Sequence, residues 1–152
     1  MATTRKSTGT GKTRTKKSAS APPPEDGGGG KGPSKAAREH ALVVAGAGLE
    51  KKAIDVEIID VAGRVDYADF LVLMTGTSDR HVASLVQAIE EAMKKHKSRA
   101  LSIEGLPTAN WVLIDFADVV VHVFQTESRS LYDIDGLWMD ARRVPIPERA
   151  KA

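Results

Sequence analysis

The stretch LVLMTGTSDRHVASLVQAIEEAMKK, residues 71–95, constrains the fold more than any other, because it joins an apolar run to an amphipathic helix through a short turn. Val82, Leu85, Val86, Ile89 and Met93 fall at i, i+3, i+4, i+7 and i+11, one face of a 3.6-residue helix. The preceding run, ADFLVLMT at 68–75, is apolar at nearly every position, as a strand buried on both faces must be. A strand that leads into a helix returns its chain across the sheet, so RALSIEG at 99–105 is the expected return strand, parallel to the first.

The remaining elements arrange themselves around this unit. Ser34 is an N-cap residue by type, and KAAREHALVVAGAGLEKKA reads as a helix with Leu42, Ala45 and Leu49 on its apolar stripe. Gly46 and Gly48 each cost that helix about 1 kcal/mol of propensity, so it depends on packing. DVEIIDV at 55–61 is β-rich and joined to the apolar run by a linker short enough for antiparallel neighbours. NWVLIDF and DVVVHVF flank Ala117 closely enough to form a hairpin. SRSLYDIDGLWMDARR closes with a short helix, and VPIPERAKA trails off after two prolines. The expected fold is α/β (α+β), a single mixed five-stranded sheet covered by helices.

At 152 residues the chain has room for one ordinary domain plus a tail. Residues 1–34 contain no Val, Ile, Leu, Phe, Tyr or Trp and cannot bury enough apolar area to offset ordering entropy. The expected organisation is a disordered basic tail over 1–34, a domain over 35–144 and a flexible C-terminal tail over 145–152. Residues 1–40 carry nine Lys/Arg against three Asp/Glu, a net +6, while thirteen against seventeen leave residues 41–152 at −4. A basic protein surface therefore suits the folded part as partner, and the tail suits weak contact with RNA phosphates or simple solubilisation. The early Ser/Thr/Arg-rich, acid-free segment mimics an organellar transit peptide but lacks its apolar face. There is no cysteine, hence no disulfide, thiolate metal site or cysteine nucleophile. No apolar stretch reaches the roughly 18 residues of a membrane span.

Catalytic constellations fail one by one. GTGKT at 9–13 ends like a phosphate-binding loop, but Lys6 stands where the first Gly belongs and no strand precedes it. Ser78, Asp79, Arg80 and His81 hold the letters of a hydrolase triad, yet neighbours at a helix start point in different directions. The simpler reading makes Thr77 or Ser78 the helix cap, with Asp79 in a favourable first turn. A nucleotidyl-transfer site needs carboxylates on two metal ions. Glu90 and Glu91 diverge on a helix, and Asp133 and Asp135 more simply initiate one. The four histidines show no zinc-binding spacing. No cofactor is expected.

Two surface possibilities remain. Alternation puts Trp111, Leu113 and Asp115 on one strand face and Val112, Ile114 and Phe116 on the other. If the second trio is core, Trp111 either marks a partner-binding hot spot or packs beneath the last helix. His122 shares a face with Val120 and Phe124, either as a half-buried histidine bonded to a neighbour or as a partner contact.

Taken in order, DVEIIDV, YADFLVLMTGTSDRHV, IEG, WVLIDFADVVVHVF and SRSLYDIDGLWMDA resemble the ribosomal silencing factor family, also called RsfS or Iojap, across roughly residues 36–140. The resemblance implies a fold distantly like nucleotidyltransferases without their metal-binding carboxylates; an active enzyme of that kind is the alternative reading. It implies a non-enzymatic factor that binds the large ribosomal subunit, mainly its ribosomal protein fourteen. By blocking small-subunit joining, such a factor represses translation, and members are linked to large-subunit biogenesis. It also implies a bacterial cytoplasmic rather than organellar setting, with the protein a monomer or homodimer. The candidate partner-binding residues are Asp69, Ser78, Arg80, His81, Trp111, Asp115, Asp118, His122 and Tyr132. Thr75, Gly76, Glu104, Gly105, Arg129, Leu137, Trp138 and Asp140 also recur in the pattern, without an assigned role. Ala117 departs from it, standing where the family usually has Gly, so that either the turn type differs or a strain of about 1–2 kcal/mol is tolerated.

Overall fold

A computed structural model describes residues 32–106 and 108–146, so the readings of the basic tail and the last six residues lie outside the described residues. Of the two units distinguished, the one formed by residues 33–62 and 67–146 carries every element below.

The helices are α1 (Lys35–Glu50), α2 (Asp79–Lys95), α3 (Thr126–Tyr132) and α4 (Ile134–Leu137). The strands are β1 (Ile54–Asp60), β2 (Phe70–Gly76), β3 (Ser102–Glu104), β4 (Trp111–Asp115), β5 (Val119–Gln125) and β6 (Arg143–Val144). They form one mixed sheet in the order β3-β4-β5-β2-β1-β6. Only β2 and β5 pair in parallel; the other four pairings are antiparallel.

The sheet has six strands rather than five. The extra strand is the pair Arg143–Val144, which bonds to Ile59 and Ile58. Two residues beside a proline carry no period-2 signal, and only the pairing partner defines them. The return strand also lands elsewhere than next to β2. It runs parallel to β2 in direction, but β4 and β5 lie between them and it pairs antiparallel with β4. The parallel neighbour of β2 is β5, reached only after the hairpin.

Phe70, Val72 and Met74 of β2, Val119, Val121 and Val123 of β5, Val112 and Ile114 of β4, and Ile58 of β1 form the sheet's side of the main core. Helix α2 contributes the five residues its periodicity selects, all buried. Helix α1 is rotated from the expected stripe: Ala37, Ala41, Val44, Ala45 and Gly48 are buried, while Leu42 and Leu49 are half-buried. Small residues let this helix approach β2 closely. A Cβ on Gly48 would stand 2.6 Å from the Met74 sulfur, so the glycine that weakens the helix permits its packing.

The hairpin turns at Ala117, whose φ is +78°. The departure from Gly is therefore accommodated as strain, not by another turn type. Asp115 Oδ1 accepts from Ala117 N–H at 2.8 Å and holds the turn. The closing helix is two helices, because Asp133 sits at φ 50°, ψ 48° between them. It ends α3 and caps α4, accepting from Gly136 N–H at 3.1 Å.

Candidate functional site

The face of the sheet turned away from α1 and α2 brings one group of candidate residues together. Register aligns Trp111 with Phe124 and Leu113 with His122 across β4 and β5, and Phe124 with Thr75 across β5 and β2. Trp111 Nε1–H donates to His122 Nδ1 at 3.0 Å. Its ring lies 5.3 Å from Phe124, 5.9 Å from His122 and 4.4 Å from Tyr132 of α3. Val112, Ile114 and Phe116 are core, as the alternation requires, and the half-buried indole packs beneath Tyr132, the packed reading of Trp111. Tyr132 remains about half exposed, and Leu131, Leu137 and Met139 beside it in sequence are more so.

The bond from Trp111 fixes the histidine tautomer. Nδ1 accepts, so the ring's single proton sits on Nε2. His122 is 8 % exposed, and burial pushes its pKa down to about 4. It is a neutral, buried histidine at physiological pH.

Asp115 shares the face of Trp111 but stands at the other end of the five-residue strand, about 13 Å away by strand rise. At that end Asp69 and Asp118 meet. Asp118 O accepts from Asp69 N–H at 2.8 Å, Asp118 Oδ2 pairs with His40 Nδ1 at 2.8 Å, and Asp69 Oδ2 accepts from Ser34 N–H at 3.1 Å. Ser78, Arg80 and His81 form a third group at the start of α2. Ser78 Oγ accepts from His81 N–H at 3.0 Å, making Ser78 the helix cap. His81 Nδ1 accepts from Thr77 N–H at 2.9 Å while Nε2 donates to Lys51 O at 2.8 Å, tying the turn to the end of α1. The nine candidates therefore lie in three places.

Residues to which the sequence assigned no role hold α3 and α4 on the sheet. Arg129 Nε and Nη2 form a bidentate pair with Asp135 at 3.0 and 2.9 Å. Its Nη1 donates to Thr75 Oγ1 at 3.0 Å and to Asp55 O at 2.6 Å. Asp55 lies at φ 52°, inside the register shift between Ile54 and Glu57, which turns its carbonyl to the arginine. The Arg129 hydrogen bond holds the Asp135 carboxyl below its usual range. The places of Arg129 and Thr75 in the family pattern were the available signals; the arginine's partners on the sheet are 54 and 74 residues away in sequence.

Among the described residues, no group of three or more His, Asp or Glu is placed to hold a metal ion, and no helix is long and apolar enough to cross a membrane.

Comparison with known proteins places these observations. The chain is 35 % identical over 89 residues to the ribosomal silencing factor RsfS of Zymomonas mobilis, a match spanning 59 % of this chain and 67 % of that one. It is 35 % identical over 99 residues to the protein of the same name from Bacillus subtilis, spanning 65 % and 84 %. A crystal structure of a Chromobacterium violaceum protein superposes with a TM-score of 0.66 at 28 % identity, covering 72 % of this chain and 90 % of that one. Organellar proteins match as well: mitochondrial assembly of ribosomal large subunit protein 1 of Mus musculus and the chloroplastic Iojap protein of Zea mays. The model of the family described as "Ribosomal silencing factor during starvation" matches residues 34–152, and the chain belongs to that family of non-catalytic factors.

Proposed function

We propose that this protein binds the large ribosomal subunit through its ribosomal protein fourteen and so prevents the small subunit from joining. Family membership is the observation that carries the reading. The net charge of −4 over residues 41–152 suits a basic ribosomal protein. Tyr132 tilted over Trp111, with Leu131, Leu137 and Met139 exposed near it in sequence, has the composition of an interface centre. His122 supports that pair from below. Asp115, Asp69 and Asp118, and Ser78, Arg80 and His81, extend the contact as rim residues. The domain over 35–144 acts in the bacterial cytoplasm, as a monomer or homodimer, and its basic tail adds weak RNA contact. The Mus musculus relative is named for large-subunit assembly, which supports a further part in biogenesis.

A steric blocker competes with joining by mass action. Excess protein mixed with separated subunits is expected to reduce the assembled peak on a density gradient in proportion to the amount added. Trp111→Ala is expected to weaken large-subunit binding by about 2 kcal/mol with an unchanged circular-dichroism spectrum. Inhibition by far fewer protein molecules than ribosomes, persisting after the protein is removed, would indicate an enzyme and overturn the reading.

A further inference from the structure

Residues 126–142 are attached to the sheet largely by polar bonds. Neither α3 nor α4 contains a buried residue, so apolar burial does little to hold them. Polar bonds take its place at both ends. Arg129, inside the segment, reaches the carboxylate of Asp135 within the segment and the sheet groups Thr75 Oγ1 and Asp55 O. Arg143, on β6, donates to the segment's carbonyls at Trp138, 2.6 Å, and Ala141, 3.1 Å, and pairs with Glu57 of β1 at 2.9 Å. The Arg129 side chain is only 11 % exposed. Its planar fork reaches four acceptor atoms of three residues on three elements at once, which a lysine's point-like ammonium cannot reproduce.

From this geometry we infer that Arg129 is the positioning residue of the partner face: it latches residues 126–142 to the ends of β1 and β2, and thereby sets Tyr132 over Trp111. Tyr132 lies three residues after Arg129, one helical turn, so the anchor and the aromatic ring move together. Released from Thr75 and Asp55, the segment keeps its internal pair with Asp135 but loses its register on the sheet. Trp111 is then uncovered, while the core under α1 and α2 is untouched. The inference rests on the proposed partner face for its consequence in binding, but the latch itself is a statement about the free protein.

Two variants test it in the full-length chain. Arg129→Lys keeps the charge and loses the fork; Thr75→Val keeps the shape of a buried strand residue and removes only the hydroxyl. Amide hydrogen exchange, the indole N–H signal of Trp111 and co-sedimentation with purified large subunits are measured for both. In Arg129→Lys, exchange over residues 126–142 is expected to accelerate roughly ten-fold or more while α2, β2 and β5 exchange as in the parent. The Trp111 indole signal loses the ring-current shift from Tyr132, and large-subunit affinity falls about ten-fold. Thr75→Val shows the same local pattern to a smaller degree, and stands alone if the lysine variant does not fold. Unchanged exchange over 126–142, acceleration spread evenly over the whole chain, or local opening with undiminished affinity would each overturn the inference. If the parent protein itself does not sediment with large subunits, the functional reading fails, while exchange and the indole signal still decide the latch.

Discussion

His122 shows how one side chain can carry a pH dependence without any catalytic purpose. Its pKa of about 4 in the fold lies below the ordinary 6.5, so the folded state favours the neutral ring. The stability this ring contributes is complete above pH 6.5 and is lost as pH falls through about 4, reaching about 3 kcal/mol at that point. His122→Gln keeps an acceptor for the Trp111 indole and cannot titrate. Urea unfolding between pH 7 and pH 4 is expected to show a shallower loss of stability in this variant than in the parent. Equal slopes would mean that His122 is not the titrating group. The hydrogen-bonded reading of this residue was available from its place in an apolar strand, although the structure buries it rather than leaving it half-buried. Its partner was not, because Trp111 lies on a different strand.

At the scale of elements, the hairpin and α2 were legible because each is a local pattern. Alternation in WVLID matches the observed burial residue by residue, and the five apolar positions of α2 are all buried. The turn between β4 and β5 is one of the places among the described residues where a non-glycine residue takes a positive φ. Ala117 at φ +78° carries a Cβ penalty that Gly does not, and its side chain is exposed. Ala117→Gly is therefore expected to raise unfolding stability by about 1 kcal/mol without altering the fold, read by chemical denaturation. Helix α1 was legible in extent but not in orientation: its leucines are half-buried, and the close approach at Gly48 selects an alanine face. The break at Asp133 was hidden because an aspartate reads equally well as a cap or as an ordinary first-turn acid.

For the whole molecule, the separation of charge between the first forty residues and the rest leads to one more expectation. Deleting residues 1–31 spares Ser34, whose side chain caps α1 by accepting from Ala37 N–H at 3.0 Å. The truncated protein is expected to bind large subunits at moderate salt as the parent does and to lose affinity only at low salt, where phosphate contacts are unscreened. Loss at both would show the segment to be part of the specific interface. By itself the sequence determined the class of the fold, the faces of α2, β4 and β5, the hairpin and the family, since helix and strand periods and a chain-wide series of motifs are written in neighbouring residues. Only the tertiary structure decided that β5, not the strand after α2, is the parallel neighbour hydrogen-bonded to β2, that two residues near the C-terminus complete a sixth strand, and that the nine candidate residues divide into three groups. It also decided that Arg129 joins β1, β2 and α4, because strand order and buried polar bonds depend on partners 54 to 86 residues apart. No local pattern records which of many equally suitable partners the folded chain brings within 3 Å.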